Sequence, residues 1–397
     1  MKMKRSFLYI AFSLFLLILP FGQTTANSND SIRLSLLTCA PGEEIYSLFG
    51  HTAIRYEDPA QGIDVVFHYG LFSFDTPYFP LRFSLGQADY KMGATDYSHF
   101  AAEYDYFGRS VWQQTLNLTN EEKAELIRLL RENYRTENRT YRYNFFYDNC
   151  ATRPRDKIEE SITGKVIYPT EPQDGSLSYR DIVHQCCEGH PWSRFGIDLC
   201  LGSEADQPIT LRQMMFAPFY LMDAFAGAQI TNDSIQRPLV TDSKQVVFAT
   251  PEPEGVSWLP TPLQCFLLLF ILTAAATIYG IRRRTGLWGL DLLLFGAAGI
   301  AGCILAFLAI FSEHPTVSSN FLLLVFHPGQ LLFLPYIIQC DRKGKKCWYL
   351  VLNLVVLTLF IVLFPVIPQR FDFAVVPLAL CLLIRSASNL IVTSKKR

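Results

Sequence analysis

Apolar and polar positions divide the chain into three regimes. Met1–Ala26 opens with Lys2, Lys4 and Arg5, continues apolar from Phe7 to Phe21, and ends in the small-residue sequence Thr24-Thr25-Ala26. That is the layout of a secretory signal peptide cleaved after Ala26; an uncleaved anchor would give the same sidedness. Residues 27 to about 258 mix apolar and polar positions and are long enough for one substantial domain. A Pro-rich hinge follows, Pro251-Glu252-Pro253-Glu254 to Pro260-Thr261-Pro262, and from Leu263 the pattern is that of a membrane domain, 263–397. Five apolar stretches of crossing length are expected there, at about 263–281, 287–311, 321–340, 348–366 and 372–392.

Within the middle regime the period changes element by element. Ile32–Thr38 alternates as a strand, Cys39–Glu44 reads as a turn, and Ile45–Tyr56 reads as a second strand with His51, Ala53 and Arg55 on one face. Glu57–Gly62 is a turn and Asp64–Gly70 returns as a third strand, so that His68 comes beside His51 if the two strands pair. The aromatic-rich stretch Phe72–Tyr90 suits a core or the lining of a lipid-sized pocket. Val111–Leu118 alternates as a strand. Thr119-Asn120-Glu121-Glu122 is a capping box opening a helix to about Tyr134, with Leu126, Ile127, Leu130 and Tyr134 on one face. Leu211–Ala228 is apolar, but Pro218, Arg212 and Asp223 argue against a further span; a core helix or one lying on the membrane surface is expected.

Charge fixes the sidedness. The connections alternate between basic stretches, Arg282–Arg284, Arg342–Lys346 and Lys395–Arg397, and the stretches 312–320 and 367–371, which carry little positive charge. Basic connections stay in the cytoplasm, so residues 27–258 are expected to lie outside it. With a formal net charge of −1 over 397 residues the chain lacks the basic excess of a nucleic-acid binder.

Five of the ten cysteines, Cys39, Cys150, Cys186, Cys187 and Cys200, fall in the exported part. An oxidising compartment favours disulfides and an odd count leaves one thiol over. Cys39, Cys186, Cys187 and Cys200 are expected to supply up to two bridges of undetermined connectivity, and Cys150 is the natural remainder. No C-x-x-C or H-E-x-x-H spacing occurs, so neither zinc nor another cofactor is expected.

Cys150 has a distinctive setting. The aromatic run Tyr143–Tyr147 reads as a strand, stops at Asp148-Asn149, two good N-cap residues, and places Cys150 where a helix begins. The positive end of a helix dipole, with Arg153 and Arg155 nearby, would favour the thiolate. His51 is the candidate base and His68 its orienting partner; Asn149 stands beside the nucleophile. His314, Asn320, His327 and Asp291 lie in or beside apolar spans, where polar groups either handle ligand or tie helices together.

The segments Y-S-L-F-G-H-T-A-I-R-Y, H-Y-G-L-F-S-F-D-T-P-Y-F, Y-N-F-F-Y-D-N-C-A-T-R-P-R-D and S-E-H-P-T-V-S-S-N-F-L-L-L-V-F-H-P carry a resemblance over most of the chain. The order His, His, Cys resembles the circularly permuted papain-like fold, of which lecithin:retinol acyltransferase is the acyl-transferring member. More closely, the segments resemble the Lnb-type periplasmic domain family, departing at His68, where the relatives more often carry Asn. The resemblance implies an α+β, circularly permuted papain-like cysteine domain over 27–258, followed by an α-helical membrane domain of about five transmembrane helices. It further implies an integral-membrane acyltransferase: Cys150, with His51 and His68, moves an acyl chain from a membrane phospholipid through a thioester to the N-terminal lipidated cysteine of lipoproteins. Asn149, His314, Asn320 and His327 are the candidate substrate-binding residues. A membrane-anchored cysteine peptidase or amidase acting on peptidoglycan is the alternative, and a non-enzymatic receptor or assembly protein is a third class. A polar cleft would favour the peptidase and an apolar, membrane-facing one the acyltransferase.

Overall fold

The computed structural model describes residues 31–73, 75–169, 177–232, 235–249 and 259–394. The expected signal segment, most of the Pro-rich hinge and the basic end Lys395–Arg397 lie outside these residues. The exported domain is built on a seven-stranded antiparallel sheet from β1 (Arg33–Cys39), β2 (His51–Asp58), β3 (Ile63–Leu71), β4 (Asp89–Asp96), β5 (Val111–Leu116), β6 (Thr140–Arg142) and β10 (Val240–Val247), in the order β10-β5-β1-β2-β3-β4-β6. A small second sheet joins β7 (Lys165–Ile167), β8 (Gln229–Asn232) and β9 (Ile235–Pro238).

The helices form where local chemistry asks for them. In α1 (Phe79–Ser84), Pro80 occupies the first turn. α2 (Tyr97–Tyr106) follows β4 directly, and α3 (Asn120–Tyr134) starts at the expected capping box, Thr119 and Glu122 bonding reciprocally. Leu126 and Leu130 are buried in the core as expected, joined by Leu129. α4 (Thr152–Ser161) carries the chain past Cys150; α5 (Tyr179–Cys186), α6 (Pro191–Cys200) and α7 (Pro218–Gly227) complete the domain. The apolar segment at 211–228 belongs to the domain core: Met215, Leu221 and Phe225 are fully buried, and Gln114 Nε2 donates to the Met222 carbonyl at 2.9 Å.

Two expectations change here. Tyr143–Tyr147 is not a strand, because Asn144 and Asp148 exchange backbone hydrogen bonds at 3.0 and 2.9 Å and fold the run into a tight loop. Residues 45–49 are likewise a turn, held by Ser47 and Leu48 amides on the Glu44 carbonyl, so β2 begins only at His51.

The membrane region has α8 (Pro262–Arg283), α9 (Trp288–Phe311), α10 (Leu334–Lys343), α11 (Trp348–Leu363) and α12 (Val375–Ser394). Three of them, α8, α9 and α12, are long and apolar enough to cross a membrane, and a fourth crossing is counted if α10 and α11, bent by 114°, form one span. The expected single helix over 321–340 is instead a 3-10 turn at Phe321–Leu324, a short helix at Gly329–Leu332 and α10. Pro328 and Pro335 lack the amide hydrogens a continuous helix needs and crowd the preceding turn. Gly299 and Gly302 of α9 leave room for this broken backbone, since a Cβ at either would meet Leu331 or His327 main-chain atoms inside 3 Å. Arg385 of α12 pairs bidentately with Asp291 of α9 at 2.6 and 3.0 Å, and its third nitrogen reaches Thr277 of α8. Asp291 thus ties helices together.

Loops at one end of this bundle dock on the exported domain. The Glu313 amide donates to the Leu85 carbonyl at 2.9 Å, Gly202 to Thr316 at 2.7 Å and Ser203 to Ser319 at 2.9 Å. Arg370 reaches Asp181 at 2.6 Å and Asp206 at 3.1 Å. Arg180 holds the receiving surface; it is fully buried between Asp198 and Asp206 at 2.6 and 2.8 Å. The two stretches poor in positive charge, 312–320 and 367–371, are therefore the ones that meet the domain, as the charge pattern requires.

Candidate active site

The site is assembled where β2, β3 and the start of α4 meet. The β2–β3 register sets Ala53 opposite His68, so His51, two residues earlier, lies diagonal to it. The two imidazoles meet edge to face with centroids 5.6 Å apart, and no hydrogen bond joins them. His68 also packs against Phe100, centroids 6.3 Å apart. Register continued along β3 brings Gly70 opposite His51. A Cβ placed on Gly70 would stand 3.6 Å from the Cys150 Cβ and 4.0 Å from His51 Cε1. Cys150 and His51 thus flank the same glycine, which has φ +99°, a conformation that L side chains avoid. Gly50, with φ +79°, turns the chain into β2 where a Cβ would strike the Cys39 carbonyl oxygen at 2.6 Å. The Gly-His pair is a backbone requirement.

Asn149 fixes the nucleophile's loop. Its Oδ1 accepts from the amides of Ala151 and Thr152 at 2.8 and 3.0 Å, its Nδ2 donates to the carbonyls of Phe145 and Phe216, and its own amide donates to Thr152 Oγ1. Its side chain is buried and fully engaged, so it positions Cys150 and has nothing left for a substrate. The helix proper begins at Thr152.

The electrostatics differ from those expected at a helix start. Burial pushes the Cys150 thiol up to about 11, opposed by the Thr52 backbone N–H and by its own N–H, both facing the sulfur. The two arginines do not help. Arg153 forks onto Asp148 at 2.6 and 2.7 Å and lies over the Tyr141 ring at 3.6 Å, while Arg155 is spent on Asp156 and the Arg212 carbonyl. Burial, with the charges of His68 and Arg109, lowers His51 to about 3; burial lowers His68 to about 4. The resting pair is therefore a neutral thiol and a neutral imidazole. That argues against a standing ion pair, so any proton transfer to His51 has to accompany attack on a bound substrate.

A cavity of about 540 Å³ opens over these groups. Cys150, His51 and His68 lie on its wall, and Phe72, Phe83, Tyr90, Tyr143, Phe145 and Phe146 make much of it aromatic. The rest of the wall includes Ile197 and Cys200 of α6 and, from the membrane region, Leu308 of α9 with His314, Thr316 and Val317 of the docked loop. His314 Nε2 donates to the Phe83 carbonyl at 3.0 Å, so this histidine joins the site as part of the seal between the two regions. Ile45, Tyr46 and Leu71 line the cavity and are exposed apolar residues at its rim.

Asn320 and His327 are not brought to this cavity. Asn320 is buried between the Leu199 carbonyl, the Leu322 amide and Gln369. His327 lines a separate space of about 240 Å³ with Tyr349 and Asn353. The expected bridges among Cys39, Cys186, Cys187 and Cys200 are not formed; all ten cysteines are free thiols. Cys39 is buried in the core against Tyr104, whereas Cys200 faces the cavity. Arg109 also lines the cavity; a lone cation in Gly108-Arg109-Ser110 before a strand gives no signal in the sequence.

Comparison with known proteins agrees with this layout. Residues 22–179 match the family model described as the Lnb N-terminal periplasmic domain, and residues 254–397 match that of the Lnb transmembrane domain. No curated protein and no solved structure matches the chain. With a periplasmic domain carrying Cys150 and a transmembrane domain docked beneath it, the chain belongs to the Lnb-type family.

Proposed function

We propose that this protein is a cysteine-dependent acyltransferase of the bacterial inner membrane. It takes an acyl chain from a membrane phospholipid and delivers it to the α-amino group of a lipoprotein's N-terminal lipidated cysteine. The observation that carries the reading is the cavity: the Cys150–His51 pair lines a largely apolar, aromatic-rich space to whose wall the membrane region contributes. A peptidase or amidase working on polar peptidoglycan stems calls for a polar cleft, and this one is apolar.

The steps follow from the groups present. His51, neutral, takes the Cys150 proton as the sulfur attacks the ester carbonyl of the phospholipid. The tetrahedral oxyanion meets the N–H of Cys150 and that of Thr52; such a donor is worth about 3 kcal/mol in comparable sites. The amides of Ala151 and Thr152 are excluded from this role because Asn149 occupies them. Collapse breaks the C–O bond, the glycerol oxygen takes the proton from His51, and lysophospholipid leaves a Cys150 thioester. The lipoprotein amine then attacks that thioester, His51 takes its proton and returns it to sulfur, and an amide is released. His68 packs beside His51 and orients it by contact.

The reading rests on a domain of permuted papain-like type, which the His, His, Cys order and the Cys150 helix support, and on a multi-pass membrane domain of about five crossings. Asp341 packs against Gly286, so the connections at 284–287 and 344–347 share one end of the bundle, while 312–320 and 367–371 share the other. Incubating purified protein with phospholipid vesicles and seeking one acyl mass on the Cys150 peptide tests the proposal. A thioester-sensitive adduct on Cys150 is expected; an unmodified Cys150 with full activity would refute it.

A further inference from the structure

Arg109 stands apart from the other charged groups of the exported domain that sit near the site. Its Nε donates to the Ala40 carbonyl at 2.8 Å and its guanidinium lies 4.8 Å from the centroid of the Tyr104 ring, yet among the described residues it forms no ion pair. Arg153 and Arg155, by contrast, are both matched by carboxylates. Arg109 is half-buried, and it lines the same cavity as Cys150 and His51. Glu103 is a charge neighbour, acting on the same Tyr104 and Cys39, but it makes no ion-pair contact with Arg109, and a half-buried cation left without such contact on a largely apolar wall keeps its attraction for an anion.

Its placement is one-sided. Arg109 stands at the Ala40–Ser47 turn before β2: it donates to the Ala40 carbonyl, and a Cβ on Gly42 would meet both Ser47 Oγ, at 2.7 Å, and Arg109 Nε, at 3.4 Å. An anion taken there sits beside Ser47 while the attacked carbonyl sits at Cys150, two separate groups on the wall of one cavity. A glycerophospholipid has that shape: a phosphodiester separated from its ester carbonyls by a glycerol backbone.

We infer that Arg109 is the headgroup site of this cavity, binding the phosphodiester of a glycerophospholipid while an ester carbonyl reaches Cys150. The inference rests on the acyltransferase reading and deepens it, since the diacylglyceryl group of a lipoprotein has no phosphate. Arg109 acts on the donor and is idle when the acceptor amine binds. It discriminates phospholipid from neutral glycerides, and a planar guanidinium does this with paired hydrogen bonds that Lys matches only in charge.

Two measurements on the full chain in detergent test it. The first is the rate of Cys150 acyl loading from a diacyl phosphatidylglycerol and from a diacylglycerol with the same chains. The wild type should prefer the phospholipid, and in Arg109→Gln that preference should fall about tenfold or more, the usual worth of a charge-assisted contact, with Arg109→Lys between. An unchanged preference, including an equal loss with both donors as expected of a purely structural staple on Ala40, would overturn the inference. The second is the affinity for a non-cleavable diether phosphatidylglycerol against its dialkylglycerol. Tighter phospholipid binding that disappears in Arg109→Gln supports the anion site even if Cys150 never becomes acylated, a result that would remove the acyltransferase reading alone. Equal binding of the diether phospholipid by both proteins would remove the site alone.

Discussion

At Cys150 two forces oppose each other, and burial wins. The sulfur receives two backbone N–H groups but is pushed to about 11, so the thiol is mostly protonated at neutral pH. Its alkylation by iodoacetamide in the resting protein should therefore be slow at pH 7 and rise steeply through the alkaline range. A plateau from pH 5 upward, read by mass spectrometry of the Cys150 peptide, would indicate a standing thiolate–imidazolium pair instead. His51 and His68 set a second pH dependence. Their native pKa values, about 3 and about 4, lie below the unfolded value of roughly 6.5. Between those values the unfolded chain binds more protons, so stability should fall as pH drops from roughly 6.5 towards 4. Thermal melts of the wild type and of His68→Asn check this, the variant losing less on acidification. In transfer assays His51→Ala should abolish activity, while His68→Asn should retain a substantial part, since an amide fills the same contact; equal and complete loss in two folded variants would count against the division of roles. The residue types were legible in the sequence, Cys150 and His51 above all. The thiol's protonation was not, because adjacent arginines read as cations on paper and are neutralised by Asp148 and Asp156 in space.

Among the elements, those set by local chemistry were legible and those set by tertiary packing were not. Thr119 and Glu122 specify a helix start wherever the segment is placed, and α3 begins there. Alternation located β1, β3 and β5 within two residues at each end. Tyr143–Tyr147 failed because the reciprocal Asn144–Asp148 bonds overrode aromatic strand preference. The third apolar stretch failed because hydropathy reports burial depth and is blind to Pro328 and Pro335. Gly70 offers the sharpest test at this scale. Gly70→Ala must force an L side chain into φ +99° between Cys150 and His51, at a cost of roughly 1–2 kcal/mol in stability. Cys150 loading should fall more than that loss of folded protein explains; unchanged loading would mean the pair does not act across this gap. The cysteines give an independent check. Alkylation in denaturant without reductant should add ten groups per chain, and six or eight would reveal bridges that the fold does not contain.

For the whole molecule the decisive feature is that the membrane region supplies part of the cavity wall. Charge sets an expectation of sidedness, but the docking of 312–320 and 367–371 on the domain depends on Arg180, Asp206 and Arg370, whose pairing no local pattern announces. Arg370→Glu places like charges against Asp181 and Asp206 and should weaken this docking, lowering transfer while the domain's own melting is retained. Membrane-impermeant thiol labelling of intact cells should mark a Cys introduced at Ser318, above the wild-type background, and spare one at Ser394; labelling at 394 would invert the topology. The central claim is that Cys150 passes a phospholipid acyl chain to a lipoprotein's terminal amine. It is tested most directly by mass spectrometry of a lipoprotein's N-terminal peptide from cells with the wild-type protein and with Cys150→Ala. The account predicts one additional amide-linked acyl chain with the wild type and none with the variant; the same acyl count in both would contradict it.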